Sequence, residues 1–356
     1  MNTSMASSGI HPPNPMKIKL KYGENPHQKA TASKRPTTDA LAIAKFKRED
    51  GRPFVGADTS WISITDISRL LQVVERFAAA YRKNVSASFP YFAAIVKHGS
   101  PCGAAFGKNS ADVAYAAWQS DQQTAFGGSL IVTFPFTAEI VEALTRANGG
   151  KMPFLSAVAA PSFEKGVTEK IGAKSKGTHF ISNKVLAKIP AKISSLPEIQ
   201  SVRDYVLEQT APQFVPVFSK IEYHGPAFSQ KDLQKITADL VLAYAVCSAS
   251  TSNTVSVVRG GVLIGNAVGQ QKRAGSAKLA IRLAHESGHE TKGAVAVSDS
   301  YFPFPDGVEA LAEGGVRAIY TTSGSMRDAL VFARAKELNV GMFTVSDKIG
   351  RMFVGH

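Results

Sequence analysis

The sequence predicts an α/β fold made of two halves, each a sheet with helices packed on it. Three observations predict it. Short apolar runs of β type alternate with longer segments of helical periodicity along the chain. With 44% hydrophobic residues, 356 residues can bury two domain-sized cores. A stretch holding Pro190, Pro197, Pro212, Pro216 and Pro226 interrupts the alternation midway and reads as a connector.

In chain order, residues 1–15 are rich in Ser, Asn and Pro without periodicity and read as a flexible tail, with order beginning near Met16. The first half, 16–185, carries helical periodicity over 67–81, 111–120 and 137–147 and β-type runs over 92–96 and 129–134. The connector occupies 186–235. The second half, 236–356, has β-type runs over 255–258, 294–297 and 318–321 and a helix over 327–338. Its loops from residue 250 onward are densely bounded by glycine, and loops at strand ends are where sites gather in such folds.

Composition narrows the function classes. No run approaches the roughly 20 apolar residues that cross a bilayer, and the first residues lack the apolar core of a secretion signal, so a cytoplasmic protein is expected. Cys102 and Cys247 are too few for a disulfide framework or, alone, a zinc site, and read as free thiols. The net charge of +13 favours acidic partners. The basic residues are scattered, and no nucleic-acid-binding signature accompanies them, so a small phosphorylated substrate with a carboxylate-rich co-substrate is preferred to nucleic acid. Solubilising surface charge explains the sign as well.

Five segments carry chemistry. Lys21-Tyr-Gly-Glu-Asn-Pro-His-Gln28 forms a turn with hydrogen-bond donors around it, one wall of an anion site or a solvated turn. In the second, an apolar strand ends in Lys97-His98 before Gly99 and Pro101. An ammonium beside a histidine disfavours the imidazolium and suits the ring to accepting protons near neutral pH. Ser120–Gly128 is a loop whose Gly127-Gly128 permits close backbone approach and whose Phe126 can stack on a flat ring. Ser252-Asn253, followed by Gly269-Gln-Gln-Lys-Arg273, is a glycine-rich turn opening a helix; it is phosphate-compatible but matches neither the Walker nor the dinucleotide pattern. Ser298-Asp-Ser-Tyr-Phe-Pro-Phe-Pro-Asp306 is a stiff platform of three aromatics and two prolines ending in an acid.

Taken in this order, these segments resemble the AICAR transformylase half of the bifunctional purine-synthesis enzyme that also carries inosine monophosphate cyclohydrolase. The resemblance rests on Lys21–Gln28, Lys97–Gly103, Ser120–Gly127, Ser252-Asn253, Gly269–Arg273, Ser298–Asp306 and Ser323–Ser325, and runs from Leu20 to the C-terminus. The cyclohydrolase half has no counterpart in these residues. Three positions depart from the pattern: Lys21 replaces an arginine, losing bidentate geometry, Ser156 falls where an acid is usual, and Ser248 where a lysine is usual.

The resemblance implies two cytidine-deaminase-like halves and formyl transfer from 10-formyltetrahydrofolate to the 5-amino group of 5-aminoimidazole-4-carboxamide ribonucleotide (AICAR), without a catalytic metal. It implies Lys97, His98 and Asn253 as catalytic residues. Lys21, Tyr22, Phe126, Gly127, Arg273, Ser300, Tyr301 and Arg351 would hold the ribonucleotide, and Phe304 with Asp306 the pterin. It further implies a homodimer with shared sites, binding small molecules and neither nucleic acid nor membrane.

Two rivals belong to other classes. His285-Glu286-Ser-Gly-His289 fits a zinc metallohydrolase pattern, with Glu309 and Glu313 as further ligands. Ser287-Gly288 inside the motif, and the β-like run soon after it, indicate a helix end, where the pattern fails. A non-catalytic nucleotide-binding relative is opposed by the presence of Lys97, His98 and Asn253 together. Neither half carries the ligand set of the zinc deaminases.

Overall fold

The computed structural model describes residues 16–174 and 177–355, so the tail read over 1–15 lies outside the described residues. The chain opens with an antiparallel ribbon of β1 (Lys17–Lys19) and β2 (Thr31–Ser33), followed by the two-residue strand β3 (Lys47–Arg48). Helix α1 (Trp61–Asn84) is capped by Ser60, whose side chain accepts from the Ser63 amide. Ile67, Leu70, Val73, Val74 and Phe77 bury its core-facing stripe.

The rest of the first half is β4 (Tyr91–Lys97), β5 (Ser100–Gly107), α2 (Ser110–Gln119), α3 (Gln122–Ala125), β6 (Ser129–Val132), α4 (Ala138–Ala147), β7 (Ala157–Ala160), α5 (Val167–Lys174) and β8 (His179–Ser182). The stretch read as a connector holds a hairpin, β9 (Glu198–Val202) and β10 (Tyr205–Gln209), and the short strand β11 (Glu222–His224). The second half is α6 (Gln230–Cys247), β12 (Val255–Arg259), β13 (Val262–Ala267), α7 (Arg273–Glu286), β14 (Val295–Ser298), α8 (Asp306–Glu313), β15 (Ala318–Ser323), α9 (Asp328–Glu337), β16 (Gly341–Ser346) and α10 (Asp347–Gly350). The helices and strands expected from periodicity all form, with ends displaced by a few residues.

Instead of two separate sheets, one mixed twelve-stranded sheet runs β11-β16-β15-β14-β12-β13-β5-β4-β6-β7-β8-β3. Outward from its middle, the order β5-β4-β6-β7-β8-β3 repeats as β13-β12-β14-β15-β16-β11, with the same parallel and antiparallel pairings. The halves meet at an antiparallel seam where Val262 faces Ala105. Helices α1 and α6 cover one face and share one core, whereas α2 with α4, and α7 with α8, build two separate cores on the other. The halves are therefore related by an approximate twofold axis normal to the sheet.

The same local devices recur in both halves. Gly103 in β5 and Gly265 in β13 let a helix press onto the strand, since a Cβ on either would strike the carbonyl oxygen of Ala117 or Ala280. At the β12–β13 turn, buried Asp239 of α6 accepts from the Gly260 and Gly261 amides at 2.9 and 2.7 Å. At the β4–β5 turn, buried Asp66 of α1 accepts from the Gly99 amide at 2.8 Å. No helix among the described residues is long and apolar enough to cross a membrane.

Candidate functional site

Strand register gathers most of the sequence-derived residues on one sheet edge. Val96, Ser129, Ala157 and His179 lie in a row across β4, β6, β7 and β8. Across the seam, Ala267, Val255 and Ser298 continue along the same edge on β13, β12 and β14. Asn266 ties the two parts together, donating to the Pro101 carbonyl at 2.8 Å and to Ser250 Oγ at 3.1 Å. The Lys97-His98 tip and the Ser252-Asn253 loop therefore share an edge although they come from different halves.

The tip is a two-residue turn between paired Lys97 and Ser100, with His98 at φ 52° and Gly99 at φ 70°. Turns of this hand match strand twist and require positive φ at both central residues, hence the usual preference for Asn-Gly or Gly-Gly. The symmetry-related turn is Gly260-Gly261, at φ 60° and 80°. Half one thus holds a histidine where its counterpart holds glycine, in a backbone region that costs a side-chain-bearing residue about 1–2 kcal/mol. His98 is exposed, and Lys97 Nζ donates to the Phe126 carbonyl at 2.7 Å, which draws the Phe126-Gly127 loop to the tip. Asp66, beneath this turn, is pushed up to about pH 6 by burial, against the opposing effect of the Gly99 amide.

The second part is one hydrogen-bonded network. Arg273, at the start of α7, donates to Asn253 Oδ1 at 2.6 Å and Ser298 Oγ at 2.8 Å, and pairs with buried Asp299. Ser298 Oγ donates to the Ser300 carbonyl at 2.8 Å, and Ser300 Oγ to Asp347 Oδ1 at 2.8 Å. Asp347 also accepts from Thr322 Oγ1 at 2.6 Å and from Arg351 Nε at 2.7 Å. Burial raises the Asp347 pKa, but the hydrogen bonds and charge of these partners leave the carboxyl below its ordinary range.

Several expectations meet different geometry. Both Asn253 amide protons are taken, by the Gln270 and Gln271 carbonyls at 2.8 and 3.2 Å, so this side chain anchors the loop instead of facing outward as a donor. The Gly127 amide donates to the Phe154 carbonyl at 2.9 Å and is likewise engaged. Of the aromatic platform, Phe302 is buried in the core, Tyr301 is half-buried, and Phe304 is open beneath the Arg327 guanidinium at 4.2 Å. The exposed Asp306 accepts from the Gly307 amide. Lys21 and Tyr22 dock on the start of α1 through backbone bonds to Thr59 and Trp61, with the Lys21 ammonium 5.6 Å from the Tyr22 ring. Ser156 bonds Ser129 Oγ at 2.9 Å, and Ser248 is buried in α6's end.

Sequence reasoning missed Asp66, Asp299, Asp347 and His179. His179 lies in the edge row beside Ser156, within electrostatic reach of Lys21. Its Nδ1 has no hydrogen-bond partner among the described residues, and burial, then Arg48, holds its pKa below the usual range. Only Asp299 and Asp347 left a signal, as the acid of Ser298-Asp299 and as an acid four residues before Arg351.

The zinc pattern does not form its required helix. α7 stops at Glu286, and the His289 amide closes back on the Ala284 carbonyl at 2.9 Å. His285 Nε2 meets Thr291 Oγ1 at 2.9 Å, while His289 Nε2 meets the Gln119 and Ser120 carbonyls at 3.0 Å across the seam. Glu309 pairs with Arg334 at 2.7 Å. Among the described residues no three His, Cys, Asp or Glu are grouped to hold a metal ion.

Fold and site together define an α/β protein of two symmetry-related halves, with cationic, amide and imidazole groups collected on one shared sheet edge. The chain belongs to the AICARFT/IMPCHase bienzyme family, whose sequence model matches residues 6–283. It is similar to the bifunctional purine biosynthesis protein PurH of Thermotoga maritima, at 30% identity over 334 residues, covering 94% of this chain and 63% of that protein. The proteins of the same name from Synechococcus elongatus and Bacillus subtilis are each 30% identical over 326 residues, covering 91% and 92% of this chain and 57% of their own length. The chain spans about three fifths of the length of these curated relatives.

Proposed function

We propose that the chain transfers a formyl group from 10-formyltetrahydrofolate to the 5-amino group of AICAR, giving the formylated ribonucleotide and tetrahydrofolate in purine biosynthesis. The observation that carries this reading is the His98 turn: an exposed imidazole in a glycine-preferring conformation, beside Lys97, in a chain of this family. The relatives named for purine biosynthesis support the pathway.

In this reading the substrate amine attacks the formyl carbon and His98 takes the amine proton. The bond from carbon to N10 of the folate then breaks, and N10 receives a proton as tetrahydrofolate leaves. The amine is conjugated with an electron-poor ring and is a weak nucleophile, so a positioned base and fixed geometry must supply much of the rate. Lys97 has protons left beyond its bond to Phe126 and stabilises the developing oxyanion. Asn253 acts through the loop it anchors. Lys21, Tyr22, Phe126, Gly127, Arg273, Ser300, Tyr301 and Arg351 hold the ribonucleotide, and Phe304 with Asp306 hold the pterin, with no metal in the chemistry.

His98, Phe126 and Phe304 are all exposed in the single chain. Electrostatic catalysis gains from excluding water, which supports a homodimer whose second subunit closes each site. We place the protein in the cytoplasm with its small-molecule substrates. Incubation of the purified chain with AICAR and 10-formyltetrahydrofolate, following tetrahydrofolate release, tests the reading; no release at any ratio of the two substrates refutes it.

A further inference from the structure

The Ser323-Gly-Ser325 turn takes no part in the chemistry assigned to His98 and Lys97, yet it holds one side chain in a definite place. β14 and β15 are parallel neighbours, with Val297 beside Tyr320, so the loops that leave their ends, Ser298–Asp306 and Ser323–Arg327, adjoin. Gly324 takes φ 128°, its amide and that of Ser325 donate to the Asp328 carboxylate at 2.6 and 3.2 Å, and the Arg327 amide donates to Ser325 Oγ at 3.2 Å. The turn aims Arg327 back at the neighbouring loop, where its guanidinium lies 4.2 Å from the centre of the half-exposed Phe304 ring.

Two unlike charges are left free beside that ring. Asp328, the acid next to Arg327, is committed to the turn, and the Arg327 guanidinium makes no hydrogen bond or ion pair among the described residues. A guanidinium over an aromatic face is held by the ring's charge distribution and keeps its five N–H donors. Exposed Asp306, close to Phe304 in the chain, accepts from the Gly307 amide at 2.9 Å and does not pair with Arg327. A pterin carries the complementary edge: its 2-amino and N3–H groups donate, and the adjoining carbonyl at C4 accepts. A carboxylate satisfies the two donors but leaves the carbonyl without a partner, and a free guanidinium supplies one as a charge-assisted bond. The glutamate of the co-substrate lies beyond the aminobenzoyl ring, at the far end from a cation seated on the platform of the pterin.

We infer that Arg327 is a specificity residue for the co-substrate, donating to the C4 carbonyl of the pterin while Asp306 accepts from its amino and N3–H groups. The inference rests on the assignment of Phe304 and Asp306 to the pterin. Calorimetry compares the wild type with Arg327→Met for binding of tetrahydrofolate and of tetrahydropteroate, which lacks the glutamate; the position is exposed and methionine keeps an apolar stem over Phe304, so the fold is retained. Both ligands bind the variant about 10- to 100-fold more weakly, the range for losing a hydrogen bond to a charged group, while AICAR binding is unchanged. KM for 10-formyltetrahydrofolate rises by a similar factor, and kcat at saturation falls far less. A loss seen with tetrahydrofolate alone assigns Arg327 to the glutamate and overturns the inference, as does equal affinity of both proteins for both ligands. In difference infrared spectra of bound tetrahydrofolate labelled with carbon-13 at C4, the carbonyl stretch lies lower on the wild type than on the variant, and coincident bands overturn the carbonyl contact. A wild type that binds no tetrahydrofolate refutes formyl transfer and this inference together, whereas a wild type that turns over and whose affinity survives Arg327→Met refutes the inference alone.

Discussion

Replacing His98 by glycine separates function from stability in opposite directions. In the folded chain His98 is exposed and holds φ 52°, while its symmetry mate is Gly260 at φ 60°. Glycine relieves about 1–2 kcal/mol of left-handed backbone strain. It also adds roughly 0.5–1 kcal/mol of unfolded-chain entropy, and little packing is lost from an exposed ring. The net expectation for His98→Gly is a stability equal to the wild type or up to about 1.5 kcal/mol higher. Formyl transfer falls by roughly two to four powers of ten, the usual range for losing a general base, while AICAR binding changes much less. Urea titration and tetrahydrofolate release read the two effects on one preparation. A variant less stable by more than about 1 kcal/mol would show that the imidazole is held for structure, and near-normal turnover would remove His98 from the chemistry.

Three further expectations follow from named groups. Asp66 has a folded pKa of about 6, above the 3.8 of an unperturbed aspartate, so the native state holds its proton more tightly; the stability this confers is complete below about pH 4 and is lost as pH rises to 6. Asp66→Asn keeps an acceptor for the Gly99 amide, and its stability advantage over the wild type should grow across that window to about 3 kcal/mol, whereas pH-independent spacing of the two melting curves would contradict the buried-acid account. Arg273→Met leaves Asp299 buried without its cation and should cost about 3–5 kcal/mol by denaturant titration; a cost under about 1 kcal/mol would mean the network is not a structural hub. His285→Ala and His289→Ala should leave formyl transfer within about threefold, and a larger loss in both would reopen a role for that pair.

Much of this architecture is legible because periodicity is local. The buried stripe from Ile67 to Phe77 and the apolar run of β4 announce their own secondary structure. What the sequence hides is non-local or conformational. The seam of β5 and β13 joins residues over 150 positions apart, and nothing near Ala105 or Val262 signals that two sheets become one. The hairpin at 198–209 lies in a proline-rich stretch whose composition reads as a linker. At the site, Lys97-His98 is visible as a dipeptide, but its positive φ, the carboxyl of Asp66 beneath it and the engaged amide of Asn253 exist only after folding. His179 gave no signal because its neighbours Lys21 and Ser156 come from distant segments.

The seam also settles how divisible the molecule is. β5 and β13 each shield the other's open edge, and Asn266 and His289 reach across to carbonyls on the opposite side. Either half produced alone would present a bare strand with unpaired backbone groups in the middle of what should be continuous sheet, and such edges recruit other chains. Fragments cut between the repeats are thus expected to aggregate when kept apart and to reassemble when mixed. The two repeats are architectural copies but a single solubility unit.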